Sequence, residues 1–155
     1  MINHKHLRNL IIRPTLEHLG MWSEAAENLV LGTAAHESLL YHLKQQGGPA
    51  LGLYQIEPAT HKDVWDNFLI YKEDLTSKVR GFAAQHPFTN DLDVELIGNL
   101  YYATAICRLV YYRRPEPLPG ADDVVGLAQY WKDHYNTHLG KGRIEDWIDH
   151  YSEVA

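Results

Sequence analysis

Between Asp93 and Arg113 the side chains are apolar on nearly every face of a helix. Leu96, Leu100, Ala103, Cys107 and Val110 fall on one side, and Ile97, Tyr101 and Ile106 occupy others. A helix of that kind has no solvent face and runs through the middle of a domain, so the rest of the chain has to wrap around it.

The flanking segments read as helices too. One is predicted over residues 4–13, broken near Pro14, and a second runs from an N-cap at Ser23 to about Ser38, with Glu24 and Glu27 in its first turns. Its apolar stripe is Ala26, Leu29, Val30, Thr33 and Ala34. Gly47, Gly48, Pro49 and Gly52 then forbid a helix and predict a shaped loop, followed by a short extended piece from Leu53 to Glu57. Pro58 suits the first position of a third helix, and further helices are expected over 73–84 and 93–113. The proline-rich stretch RRPEPLPG is a stiff connector. Asp122 or Asp123 caps the next helix, which runs to about Leu139 and stops at Gly140. A last helix over 143–153 gathers Ile144, Trp147, Ile148 and Tyr151 on one side. The expectation is a single all-α domain over residues 1–155: a helical bundle around a central buried helix, with a small extended or hairpin insertion.

Composition narrows the function. Twenty acidic residues against fourteen basic ones give a net charge of −6. That balance argues against a nucleic-acid partner, which would need basic side chains on phosphates. Ten histidines make the charge strongly dependent on conditions below about pH 6.5. The single cysteine, Cys107, excludes an intrachain disulfide and reads as a buried thiol. No run of eighteen apolar residues exists, so no membrane insertion is expected. The opening MINHKHLRNLIIRPTLEHLG lacks the unbroken apolar centre of a signal peptide, so work outside the cytoplasm would need another delivery route.

The residue most telling of chemistry is Glu37. It continues the apolar stripe of its helix, three residues after Ala34 and seven after Val30. A carboxylate there points inward or into a cleft, where desolvation raises its pKa and suits it to act as a general acid; by position alone it equally fits a helix-end glutamate bonded to loop backbone. Ser38 beside it can donate a hydrogen bond. Past the glycine-rich loop, Gln55 can offer its amide to sugar hydroxyls or N-acetyl groups, and Gly52 allows close backbone approach.

Glu37–Ser38 followed by Gly52-Leu53-Tyr54-Gln55-Ile56, with Pro58 and Thr60, resembles the lytic transglycosylases of the lysozyme-like superfamily. Their pattern is E-S and then G-L-M-Q-I-x-P-x-T, with the glutamate as sole acid/base and a later Tyr-Asn pair. Tyr135-Asn136 is similar to that pair, and YWKDHYNTHLGKG resembles stretches of phage-encoded lysozyme-like proteins. Tyr54 stands in place of the usual Met, Glu57 replaces an apolar residue, and His134 precedes the Tyr-Asn pair where a small residue is usual. Tyr102 is the other tyrosine placed to supply the third-motif hydroxyl.

The resemblance implies a lysozyme-like α+β arrangement with the insertion at a cleft. It also implies that Glu37 cleaves the bond between N-acetylmuramic acid and N-acetylglucosamine of peptidoglycan. Ser38, Gly52, Tyr54, Gln55, Tyr135 and Asn136 would bind the glycan, with no cofactor. A hydrolysing muramidase would instead want a second carboxylate about 5 to 9.5 Å away, for which Glu57 and Asp63 are the candidates. The third reading is a non-catalytic module of a phage particle. Phage virion or lysis components are the expected partners and carriers to the periplasmic wall.

Other groups have plainer readings. His134 and His138 stand at a spacing that can hold zinc, but no third ligand follows, and no metal is expected. His36 and His42 flank the acid and are placed to tune it or to face solvent. Tyr130, Trp131 and Tyr135 suit core packing more than sugar stacking, and Arg113–Arg114 reads as a solvated pair.

Overall fold

A computed structural model describes residues 1–84, 91–136 and 140–155. The described residues are mostly helical and contain no strand. None of their helices is long and apolar enough to cross a membrane.

The chain opens with α1 (His4–His6), a π-helical turn (Leu7–Ile12) and α2 (Arg13–His18), which run on as one continuous helix. The expected break at Pro14 does not occur. Pro14 has no N–H, and in a plain α-helix its ring would press on the carbonyl four residues back. The wider turn ahead of it takes up the misfit, with Arg13 N–H bonding to the Arg8 carbonyl five residues back.

Ser23 is extended and its hydroxyl accepts from Ala26 N–H at 3.1 Å, starting α3 (Glu24–Glu37) as foreseen. Burial covers every residue from Ala26 to Ala35, well beyond the predicted stripe. A cause is Gly32, where a Cβ would lie 2.2 Å from the Trp147 indole. Its absence lets α9 (Ile144–Ser152) lie directly on α3. Trp147 and Tyr151 are the buried side of α9, with Ile144 and Ile148 partly covered.

Glu27, in the first turn of α3, is 1% exposed. It accepts from Arg8 at 2.5 Å, Arg13 at 2.6 Å and the Trp22 indole at 3.0 Å. Burial pushes this carboxyl up, but the bonds from Arg13, Trp22 and Arg8 outweigh it and leave it below the ordinary value.

Beyond the loop, the segment from Leu53 to Glu57 is a turn, not an extended strand. Leu51 and Ile56 exchange backbone bonds of 2.9 and 3.0 Å, and the insertion reduces to two isolated antiparallel bridges, Lys44–Leu51 and Leu51–Ile56. Pro58 opens α4 (Pro58–Asn67) as expected, and α5 is Glu73–Phe82.

The long central helix divides in two, α6 (Val94–Gly98) and α7 (Leu100–Tyr112). Asn99 between them is extended and caps α7, accepting from Tyr102 N–H at 3.0 Å. Its amide also ties to Phe82 O at 2.6 Å and to Glu95 at 2.7 Å. From Tyr102 to Tyr111 every residue of α7 is buried, so α3 and α7 together form the centre. Cys107 is wholly buried there.

Asp123 caps α8 (Val124–Trp131), accepting from Gly126 N–H at 2.9 Å, and the helix continues as a π turn over Lys132–Asn136. The expected end near Leu139 lies outside the described residues.

Candidate active site

Glu37 is the last residue of α3 and is half-buried. Its Oε1 accepts from the Trp131 indole N–H at 3.0 Å, and Trp131 is itself fully buried on α8. Gly142 makes room for that indole, since a Cβ there would lie 2.6 Å from it. Among the described residues no basic side chain is bonded to Glu37, and the one indole bond does not offset desolvation. Burial pushes its carboxyl up to about 7. Glu27 and Asp63 are held low by their partners, whereas Glu37 is moved upward. The inward position predicted from periodicity is therefore matched by the electrostatics.

The chain leaves Glu37 through strained backbone. Leu39 and Leu40 both adopt left-handed conformations, with φ of 54° and 55°, and Gln55 does so at 49°. Among the described residues these are the only non-glycine positions with positive φ; Leu39 and Leu40 directly follow Glu37–Ser38, and Gln55 lies in the second motif. Such conformations cost on the order of 1–3 kcal/mol each and persist where the surroundings enforce them.

Several expected binding residues turn out to be structural. Ser38 is buried, and its hydroxyl donates to Ala34 O at 3.0 Å on its own helix. Tyr54, expected to bind the glycan, is wholly buried and shares a 2.7 Å hydrogen bond with Thr104. Gln55 is half-buried and its amide donates back to Gly52 O at 2.9 Å, within its own turn. Gly52 has φ 77°, and a Cβ there would lie 1.8 Å from Leu96 O. It is glycine because the turn is pressed against the end of α6.

Tyr135 and Asn136 separate in role. Tyr135 stacks on Tyr111 with centroids 5.2 Å apart, and its hydroxyl donates to Tyr54 O at 2.6 Å. Burial, Cys107 and then the Glu37 charge push its phenol well up. Asn136 instead accepts from Lys132 Nζ at 2.7 Å, while the same ammonium holds Gly140 O and Gly142 O at 3.0 and 2.8 Å. Tyr102, the alternative, is buried with its hydroxyl 2.6 Å from His61 Nε2 and accepting from Trp65 at 2.9 Å.

Neither second-carboxylate candidate is paired with Glu37. Glu57 is exposed at the start of α4. Asp63 is held below its ordinary value by Asn67 and then Arg113. Arg113 bonds Asp63 and is mostly covered, so it is not a solvated neighbour of Arg114.

His134 lies against Tyr130, with centroids 4.4 Å apart, and His138 lies outside the described residues. Among the described residues no group of His, Cys, Asp or Glu is arranged to hold a metal. His42 is exposed beside Tyr41, whereas His36 turns inward to His150 and Trp131.

Two open depressions, of about 460 Å³ beside His61, Trp65 and Asp93 and about 400 Å³ beside Met21, Phe68 and Tyr112, both lie apart from Glu37. The first adjoins a network unsuspected from the sequence. Asp93 bonds His61 Nδ1 at 2.7 Å, and His61 passes the chain on to Tyr102 and Trp65. No local spacing announces a network drawn from α4, the start of α6 and α7. The Trp131 bond to Glu37 was equally hidden, since its partners lie 94 residues apart.

Comparison of the chain with protein-family models, curated proteins and solved structures finds no match.

Proposed function

We propose that the protein cleaves the β-1,4 bond between N-acetylmuramic acid and N-acetylglucosamine in peptidoglycan, with Glu37 as a single acid/base. The observation that carries this reading is the Glu37 carboxyl at the end of α3, accepting from the buried Trp131 indole at 3.0 Å with no cation bonded to it among the described residues, so that burial holds it up at about 7. A carboxyl in that state is substantially protonated near neutral pH and can both give and take a proton.

In the proposed reaction, protonated Glu37 donates to the glycosidic oxygen as the bond from the muramoyl C1 breaks. The carboxylate then takes the proton of the muramoyl 6-hydroxyl, whose oxygen closes on C1. One strand ends in a 1,6-anhydro ring, the other carries a free 4-hydroxyl, and Glu37 is protonated again. Water does not enter, so the ion-paired Asp63 and the exposed Glu57 need no part. The raised phenol of Tyr135 stays neutral and buttresses the turn through Tyr54 O. A phage particle or lysis system is the proposed carrier to the wall.

The test is mass spectrometry of muropeptides released from purified peptidoglycan by the native chain and by Glu37→Gln. Products one water lighter than hydrolysed ones, absent with Glu37→Gln, are expected. Release should decline as pH rises through about 7, because the acid form of Glu37 is lost. Hydrated reducing ends would replace this reading with a muramidase. No release from any wall type would replace it with a non-catalytic module.

A further inference from the structure

On α3, next to the candidate acid, His36 turns its ring toward α9 and meets His150, with the two Nδ1 atoms 2.9 Å apart. Two ring nitrogens at that distance require one proton between them, one ring donating and the other accepting. A further proton taken at an outer Nε2 leaves that bond intact, and only when both rings are cationic does donor face donor. The same His36 ring stands edge-on to Trp131, centroids 4.6 Å apart at 74°. Trp131 is the indole that donates to Glu37. The contacts therefore run without a gap from His150 on α9, through His36 on α3 and Trp131 on α8, to Glu37.

We propose that His36 is a positioning residue: the hydrogen-bonded His36–His150 pair seats the Trp131 indole on Glu37, and protonation of both rings unseats it. For its catalytic consequence this rests on the reading of Glu37 as the acid; the coupling itself does not.

The groups around the pair set where it operates. From α9, His36 faces His150 and Asp146; from α8 it faces the uncharged Trp131; on α3 its chain neighbour is Glu37. Burial first and the His150 charge second hold His36 down at about 4, against a pull upward from Asp146. His36 thus stays neutral across the range in which Glu37 exchanges its proton, and its Nδ1 stays able to share a proton with His150. Loss of the indole bond would raise Glu37 further, because that bond is the contact that lowers it. Acidification below the range of the pair would then leave Glu37 a weaker proton donor to the glycosidic oxygen.

The experiment follows the Trp131 indole N–H and the imidazole signals of the full-length chain by NMR from about pH 3 to about pH 8. The indole signal should show two steps, an upper one as Glu37 titrates and a lower one in register with the His36 ring. His150→Asn should lose the lower step and keep the upper, and Glu37→Gln should do the reverse. Where His150→Asn does not fold, His36→Gln removes the same proton and serves in its place. An indole signal that ignores the titration of the pair, or two rings that titrate independently as ordinary imidazoles, would overturn the proposal. The readout needs no substrate. A chain that shows both steps but releases no muropeptides would keep this inference and lose the proposed function. With an active chain, release should fall on the acid side in the native protein and not in His150→Asn.

Discussion

Glu37 is a carboxyl that the fold makes costly to ionise. Its value near 7 lies above the ordinary 4.5, so the folded state holds this proton more tightly than the unfolded one. The stability it contributes is present below pH 4.5 and lost as pH rises through 7. Glu37→Gln, which keeps an acceptor for the Trp131 indole, should therefore stabilise the protein at about pH 8 by up to roughly 3 kcal/mol. At about pH 4 the gain should vanish. Urea unfolding at the two pH values measures both, and equal midpoints at high pH would show that Glu37 is not desolvated. The inward direction of Glu37 was legible from its place on a 3.6-residue stripe. The roles of Ser38, Tyr54 and Gln55 were not, because each is fixed by a partner that spacing does not name: Ala34 O, Thr104 and Gly52 O. A motif can mark where a turn must be built without saying which side chains reach outward.

At the scale of elements, caps and prolines predicted helix starts well. Ser23, Pro58 and Asp123 each stand where a helix begins. Continuity was harder to read. Pro14 looked like a stop but is carried by a π turn, and Gly98–Asn99 looked like mid-helix but is a stop and a cap. Both errors share a cause: hydrophobic pattern records burial and is nearly blind to a local change in winding or a one-residue break. The turn from Gly52 to Gln55 shows how one element depends on another, since its tightness is set by the end of α6. Gly52→Ala should cost at least about 2 kcal/mol, from a Cβ that meets Leu96 O and from an unfavourable φ. Thermal unfolding tests this; an unshifted midpoint would mean that α6 yields easily.

Across the whole molecule, three buried titrations oppose one another. As pH falls from 7 to 4.5, Glu37 adds stability. As it falls from 6.5 toward 4, His36, whose folded value is depressed, removes it. Glu27, also depressed, gives up its contribution only below 4.5. The first two should nearly cancel, leaving stability flat between pH 6.5 and 4.5, with acid lability appearing in Glu37→Gln. Chemical denaturation across that range would expose a slope if the cancellation fails. Breaking the clasp between the first helical run and α3 by Glu27→Ala should cost about 3–5 kcal/mol at neutral pH, measurable by the same method. The Trp131–Glu37 bond spans 94 residues and the His36–His150 pair 114. During synthesis α3 leaves the ribosome long before α8 and α9 exist, and until they arrive Glu37 is an ordinary, fully hydrated glutamate. The raised carboxyl is thus made only when α8 closes over the end of α3, and a nascent or interrupted product that lacks α8 would not carry it.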